Sequence, residues 1–501
     1  MNAVPLDQLL LGIADAPLAA MPSAARMRVS GLTLDSRQAS RGDAFFALRG
    51  SKGHGIAFAA AAARRGAQLV LAESPPIACE DPGVPVLWID GLHEQVGEIA
   101  ARFHGRPSES LRMVGVTGTN GKTSCVQLLA QALTLLGHRT ASIGTLGAGV
   151  HGHLREGERT TPDVLTVQRL LAEFRDGEVS HVAMEVSSHA LEQGRVAAVD
   201  FEVAAFTNLS RDHLDYHGSM EAYGEAKARL FAWPGLRAAV INVDDAFGAA
   251  LATRLADGVQ RLRFSMADDR DAELAASQIV TSSEGLSFRL RTPWGSQAIH
   301  SHLLGRFNVA NLLAVVGCLG ALGETFARIV TAVEQLQPVN GRMNRIGGLH
   351  GQPLVVIDYA HTPDALEQAL TALRAHCAGR LICVFGCGGE RDAGKRPMMG
   401  AIAARLADVA IVTDDNPRGE DGDAIVAQVV AGMAEARAMA VERDRAQAIG
   451  QALQLARTGD VVLVAGKGHE TYQEGAAGRR AFDDLAVARA ALESWQRGGG
   501  P

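Results

Sequence analysis

Apolar residues along this chain fall into short runs closed by Gly-rich or polar turns, most of them followed by stretches of helical period. Up to about residue 105 the runs Ala67–Ala72 and Val84–Ile89 alternate with helical patterns, ending in the turn-rich His104-Gly-Arg-Pro-Ser-Glu-Ser110. From Leu111 the order becomes strand, Gly-rich turn, helix, and the pattern predicts that alternation as far as Pro338. A stretch rich in Gly, Asn and Pro spans Gln337 to Pro353. After it, Leu354–Ile357, Leu381–Phe385, Val409–Val412 and Val461–Ala465 read as buried parallel strands. The pattern predicts an α/β protein of three domains, with boundaries at 1–105, 106–338 and 339–501.

Composition narrows the function. The 501 residues are 47% hydrophobic and carry a net charge of −7 with 5% aromatics, which argues against nucleic acid as a partner, since that needs a basic footprint and stacking platforms. The longest apolar run, Leu312 to Gly323, is shorter than the roughly 18–20 residues of a membrane span. Asp7 and Asp15 interrupt the first apolar stretch and no basic lead precedes it, so a cytoplasmic protein without a signal peptide is expected. Six cysteines show no Cys-x-x-Cys spacing and are expected to be free thiols. Only five of the 48 basic residues are Lys: Lys52, Lys122, Lys227, Lys395 and Lys467. In so Arg-rich a chain, a retained lysine marks a place that needs a compact ammonium or a deprotonated amine.

The chemistry starts at residues 111–136. A strand (111–116), the turn Thr117-Gly-Thr-Asn-Gly-Lys-Thr123 and a helix from Ser124 form the context of a phosphate cradle. There the backbone N–H groups of Gly118, Thr119, Asn120 and Gly121 converge on phosphate oxygens, Lys122 reaches the terminal phosphates and Thr123 can hold Mg²⁺. Val116 stands where the common form of this motif has its first Gly. Glu185 closes the strand His181–Val186, where an acid is placed to hold a cation directly or through water. Asn208 to His217 is dense in potential ligands, Lys227 lies among apolar neighbours on a helix, and Gly305–Asn311 opens another helix in which Asn308 reads as an N-cap and Asn311, inside the first turn, as better placed to touch a base or phosphate.

With these residues in hand, the chain resembles the Mur ligases, ATP-dependent amide-forming enzymes of peptidoglycan assembly. The resemblance rests on Gly-Thr-Asn-Gly-Lys-Thr (118–123), Met-Glu-Val-Ser-Ser-His (184–189), Asp-His-Leu-Asp-Tyr-His (212–217), Ala-Lys (226–227) and Asp-Tyr-Ala-His-Thr-Pro (358–363), in family order over nearly the whole chain. Val116 is the family's own variant. The resemblance implies an N-terminal UDP-substrate domain, a central P-loop ATPase-like, mostly parallel sheet and a C-terminal Rossmann-like domain. It also implies that Lys122 and its loop, through Ser124, hold ATP, with Thr123, Glu185 and His213 at the Mg²⁺ sites and Lys227 carbamylated, an anion that supports a second Mg²⁺. Asn308, Arg342 and Asp358 are expected to reach the nucleotide. Leu34, Ser36, Ser51, Lys52, Gly53, Arg159, Thr160, Thr161, Ser187, Gln193 and Arg195 are expected to contact a UDP-sugar-peptide. Arg159 departs from the family pattern, which has Asn there.

Within the family, Asp415-Asn416-Pro417-Arg418 and Gly466-Lys-Gly-His-Glu470 resemble members that add meso-diaminopimelate to UDP-N-acetylmuramoyl-L-alanyl-D-glutamate. Arg391, Asp415, Asn416, Arg418, Gly466 and Glu470 follow three of the parallel strands, where open α/β sheets bind ligands. A planar Arg fork answers the extra carboxylate that separates diaminopimelate from lysine, so Arg418 is the expected discriminator. A monomer is expected. A lysine-adding or folylpolyglutamate-forming sister ligase stays open, as does a nucleotide-gated switch or transport ATPase. A dinucleotide oxidoreductase is disfavoured, because Phe385-Gly-Cys-Gly-Gly-Glu390 lacks the full glycine fingerprint.

Overall fold

The computed structural model describes residues 3–50, 53–157, 159–267, 271–282, 284–348 and 351–497. They form two compact units, Met1–Arg263 and Phe264–Pro501.

The first unit opens with a four-stranded parallel sheet, in the order Gly31–Thr33, Asp43–Ala47, Leu69–Glu73, Val86–Ile89. Successive side chains in a strand face opposite ways. Phe46, Leu69 and Leu71 therefore pack with Leu6, Leu9 and Ile99 on one face. Phe45, Val70 and Ala72 pack with Ala59 and Ala62 on the other. The unit's second sheet runs His153–Arg155, Gly147–Val150, Thr140–Gly144, His181–Glu185, Arg112–Thr117, Phe201–Phe206, Ala238–Asn242. Its last five strands are parallel, and the first two form an antiparallel edge. The chain enters at Arg112–Thr117 in the middle and later strands add on both sides, so the turn after Thr117 lies at a switch in strand order, where α/β sheets open a crevice at their carboxyl ends.

The second unit departs from the expected alternation of strand and helix. Leu274–Ser282, Gly285–Thr292 and Gly295–Ser301 form an antiparallel meander with no helix between them. The physical reason is the period: Leu286, Phe288, Leu290 and Thr292 are buried while the residues between them are not, which is a one-sided strand. The apolar run near Leu312 belongs to the helix Phe307–Ala321, apolar around most of its circumference and buried on all those sides. Among the described residues no helix is long and apolar enough to cross a membrane.

The rest of this unit is a six-stranded sheet ordered Asn344–Gly347, Leu354–Asp358, Val461–Ala465, Leu381–Phe385, Val409–Val412, Met439–Val441, parallel except at its first strand. The four expected strands stand at its centre. Leu354, Val356, Leu381, Cys383, Leu463 and Val412 feed one core layer. Val355, Ile357, Ile382, Val384 and Val464 feed the opposite one. Because these strands run the same way, the turns after Asp358, Phe385, Val412 and Ala465 all emerge at one edge.

Candidate active site

The turn after Arg112–Thr117 is held tightly from the neighbouring strand end. Thr119 N–H donates to Asn208 O (2.8 Å), Asn120 N–H to Asn208 Oδ1 (3.0 Å), and Thr207 Oγ1 to Asn120 O (2.6 Å). Only Gly serves at 118, because its φ is +147° and a Cβ there would collide with Thr207 Oγ1. Lys122 opens the helix Lys122–Leu135, and its ammonium donates to Gly118 O and Thr119 O, both at 2.9 Å.

Two groups expected at this loop are drawn to it. Lys227, 1% exposed, donates to Gly118 O at 2.8 Å and lies 4.3 Å from the centre of the Tyr223 ring. Burial, helped by the Lys122 charge and opposed by Asp212, brings its pKa down to about 6, so the amine is mostly neutral at neutral pH. Glu185 is fully buried and accepts from Thr123 Oγ1 (3.0 Å), Thr145 N–H (2.8 Å) and Thr145 Oγ1 (3.2 Å). Burial pushes its carboxyl up, against the pull of Lys122 and these donors. The Thr123 hydroxyl and Glu185 carboxylate form a hard oxygen pair of the type Mg²⁺ takes, so the residues present fit that ion. His213 stands apart from this pair. It is half-exposed at φ +52°, with its contacts to Asp212 (3.4 Å) and to the rings of His189 and Tyr223. Among the described residues no three His, Cys, Asp or Glu side chains gather as a metal cluster.

A chain of polar contacts leads from Glu185 to five of the residues expected at the UDP substrate. Thr145 meets Thr160 (3.0 Å), Thr161 Oγ1 donates to Glu185 O (2.8 Å), and Ser187 N–H donates to Thr161 Oγ1 (3.2 Å). Arg195 binds Thr161 O (3.0 Å) and Gln193 Oε1 (2.9 Å). Burial and the neighbouring Arg159 charge both lower the Arg195 pKa. Leu34 and Ser36 are half-buried and Gly53 exposed on the N-terminal sheet's side of the unit. Ser51 and Lys52 lie outside the described residues.

In the second unit, Asn308 sits one residue inside its helix, after the cap at Arg306. Its amide donates to Leu304 O (2.7 Å), just before the helix, and accepts from Asn311 (2.8 Å), so its contacts are local. Asp358 accepts from Met343 and Ala360 N–H (2.8 and 2.9 Å), and burial raises its carboxyl against the pull of Arg342. Arg342 lies over the Tyr359 ring at 5.5 Å, and its buried Nε has no hydrogen-bond partner among the described residues.

The remaining strand ends form a second recess. Arg418, at φ +52°, donates to Gly389 O (2.8 Å) and pairs with Glu474 (3.5 Å). Gly388 separates it from Arg391: a Cβ there would stand 3.0 Å from Arg418 Nη1 and 3.8 Å from Arg391 Cγ. Asn416 Nδ2 donates to Glu470 Oε2 (3.0 Å), and Pro417 O accepts from Glu420 N–H (3.1 Å). Gly466 passes close to Asp415 Oδ2, 2.7 Å from where its Cβ would stand. Asp415 is buried, which raises its carboxyl against Arg445 and Lys467. Thr145, Thr207, Asn208 and Lys467 were absent from the expected site. The scarcity of lysine was a signal for Lys467, and the ligand-dense stretch from Asn208 to His217 one for Asn208; the threonines carried none.

Residues 28–104 match the family described as Mur ligase family, catalytic domain; residues 116–319 match Mur ligase middle domain; residues 341–468 match Mur ligase, glutamate ligase domain. A protein of Xanthomonas oryzae pv. oryzae named UDP-N-acetylmuramoyl-L-alanyl-D-glutamate–2,6-diaminopimelate ligase is 57% identical over 93% of this chain and 94% of its own. One of the same name from Pseudomonas aeruginosa is 51% identical over 95% and 97%. A solved structure of a ligase so named superposes with a TM-score of 0.76 at 36% identity, covering 99% of this chain and all of that one. MurF from Acinetobacter baumannii shares the fold (TM-score 0.64, 20% identity, 98% and 99% covered). On the three domain matches and these near-full-length identities, the chain belongs to the Mur ligase family.

Proposed function

We propose that the protein is an ATP-dependent ligase that joins meso-diaminopimelate to the D-glutamate side-chain carboxylate of UDP-N-acetylmuramoyl-L-alanyl-D-glutamate, acting in the cytoplasm as a monomer. Residues 1–105 bind the UDP-sugar, 106–338 bind ATP and 339–501 bind the amino acid. The observation that carries this reading is the second recess. Arg391 and Arg418 flank Gly388 beside the Asn416–Glu470 pair, a setting for a terminus bearing both a carboxylate and an ammonium. A nucleotide switch needs no such recess.

In the first step the γ-phosphoryl group passes from ATP to a carboxylate oxygen of D-glutamate, releasing ADP and forming an acyl phosphate. The diaminopimelate amine then attacks the acyl carbon. The tetrahedral intermediate expels inorganic phosphate, the nitrogen loses a proton, and an amide remains. Lys122 and the loop N–H groups from Gly118 to Ser124 neutralise and orient phosphate oxygens, since this chemistry is mostly positioning and electrostatics. Thr123 and Glu185 would hold one Mg²⁺, with His213 and the carbamate of Lys227 at a second, and these ions would supply further positive charge at the phosphates when bound. The neutral Lys227 amine takes up CO₂, forming an N–C bond with loss of a proton, and becomes an anionic carbamate. Asn308, Arg342 and Asp358 contact the nucleotide, and the buried unpaired Arg342 Nε supports that reading. Leu34, Ser36, Ser51–Gly53, Arg159–Thr161, Ser187, Gln193 and Arg195 contact the UDP-dipeptide. Pro417 shapes the turn that presents Arg418.

The test is phosphate release with ATP, Mg²⁺ and the UDP-dipeptide, adding meso-diaminopimelate or L-lysine in parallel. Release with diaminopimelate alone, with a UDP-tripeptide in the mass spectrum, is expected. Release with lysine alone overturns the substrate, and release independent of either amino acid overturns the ligase.

A further inference from the structure

Lys467 is wholly buried, and no step of the proposed reaction uses it. An ammonium at that depth persists only where acceptors replace its hydration. Here they are Asn416 Oδ1 at 3.1 Å, Glu470 Oε2 at 3.0 Å and Asp415 Oδ1 at 4.0 Å, with the Tyr472 ring centre at 5.3 Å. Every polar partner comes from the amino-acid recess.

The geometry has two consequences. The first concerns the Asn416 amide, which can present either its oxygen or its NH₂ to a neighbour. Lys467 and the Glu474 N–H (2.9 Å) both donate to Oδ1, which fixes the amide with Nδ2 towards Glu470. The second concerns Glu470. Its Oε2 receives both Lys467 and Asn416, while no hydrogen bond from a described residue reaches Oε1. One carboxylate oxygen is anchored and the other is left to face a ligand. A fixed cation also offsets the like charges of Asp415 and Glu470, which otherwise repel an incoming carboxylate.

Residue choice fits this duty. Arg is the rule in this chain, with five lysines among 48 basic residues, yet a guanidinium cannot direct a single compact charge at three acceptors in so small a space. We propose that Lys467 is a positioning residue for the amino-acid substrate: it orients the Asn416 amide and the Glu470 carboxylate to receive a substrate terminus bearing both an ammonium and a carboxylate. The proposal rests on the ligase reading above.

The test measures KM for meso-diaminopimelate, ATP and the UDP-dipeptide in the wild-type chain, Lys467→Met, Asn416→Ala and the double variant. Loss of one partner of a buried charged hydrogen bond predicts a rise in the diaminopimelate KM of roughly 10- to 100-fold in Lys467→Met, with the other two constants within about threefold. If Lys467 acts through Asn416, the double variant is much less impaired than the product of the two single effects, because shared networks are non-additive. A uniform fall in kcat with all three KM values unchanged overturns the proposal, as does a multiplicative double variant. If Lys467→Met does not fold, Lys467→Gln, which keeps a donor for Asn416, is read in its place. Failure of both to fold assigns Lys467 to stability and also overturns the proposal. A wild-type chain without diaminopimelate-dependent turnover refutes the ligase reading instead, so the two failures are distinct.

Discussion

Lys122 and Lys227, 105 residues apart in sequence, both donate to the carbonyl oxygen of Gly118, at 2.9 and 2.8 Å. Burial first, and then repulsion from the Lys122 ammonium on the same acceptor, bring the Lys227 pKa down to about 6. A neutral amine is what reaction with CO₂ requires. The expected outcome is a carbamate carbon signal when the protein is equilibrated with ¹³C-bicarbonate, absent in Lys227→Arg. That variant is expected to turn over at least about 100-fold more slowly, because a permanent cation stands where an anion is needed. An unchanged rate in Lys227→Arg refutes the carbamate.

Glu185 is buried against the preference of its charged form, so Glu185→Gln should leave the fold intact or slightly more stable while removing a ligand for Mg²⁺. Turnover is expected to fall by roughly 10²- to 10³-fold. Thermal unfolding with and without Mg²⁺ and ADP checks this directly: the wild-type chain gains stability from the metal, and the variant does not.

Arg418 is expected to govern amino-acid use without touching nucleotide binding. In Arg418→Ala the KM for meso-diaminopimelate should rise by roughly 10- to 100-fold with the KM for ATP unchanged. Arg418→Lys should recover only part of the loss, because a point charge cannot match a carboxylate with two parallel donors. Equal damage to both constants removes Arg418 from its assigned role.

Acid sensitivity should have a source outside the site. Burial, with the charges of Arg169 and Arg175, lowers the His104 pKa to about 4 from an ordinary value of 6.5, and its buried Nδ1 has no hydrogen-bond partner among the described residues. The folded protein therefore holds His104 neutral while the unfolded chain protonates it. That contribution to stability is intact above about pH 6.5 and is lost progressively towards pH 4. His104→Gln should show a smaller drop in melting temperature between pH 7 and pH 5 than the wild-type chain. An identical drop assigns the acid sensitivity elsewhere.

Much of the molecule was legible in the sequence because the governing interactions are local. A strand, a Gly-rich turn and a helix follow one another within 24 residues, with the turn at Gly118–Gly121 and Lys122 and Thr123 already in the first turn of the helix. The four C-terminal strands were legible for the same reason: each is a short continuous apolar run closed by a turn. The meander at residues 274–301 was missed because its one-sided alternation is spread over three strands whose turns also punctuate helices.

What the sequence by itself determined was an inventory: a phosphate loop, acids and cations after strand ends, and a few lysines retained in an Arg-rich chain. The tertiary structure decided which of these meet. Strand order leaves only Leu381–Phe385 between Val409–Val412 and Val461–Ala465, and the turns after Val412 and Ala465 meet across its end, which brings Asn416 to Lys467 across 51 residues of sequence. Burial decided the rest, turning Lys227 from a cation into a mostly neutral amine and holding Glu185 against its charge, while His213 stayed half-exposed. Local pattern carries no information about dielectric surroundings or partners distant in sequence, and those set the charge and orientation of every group at this site.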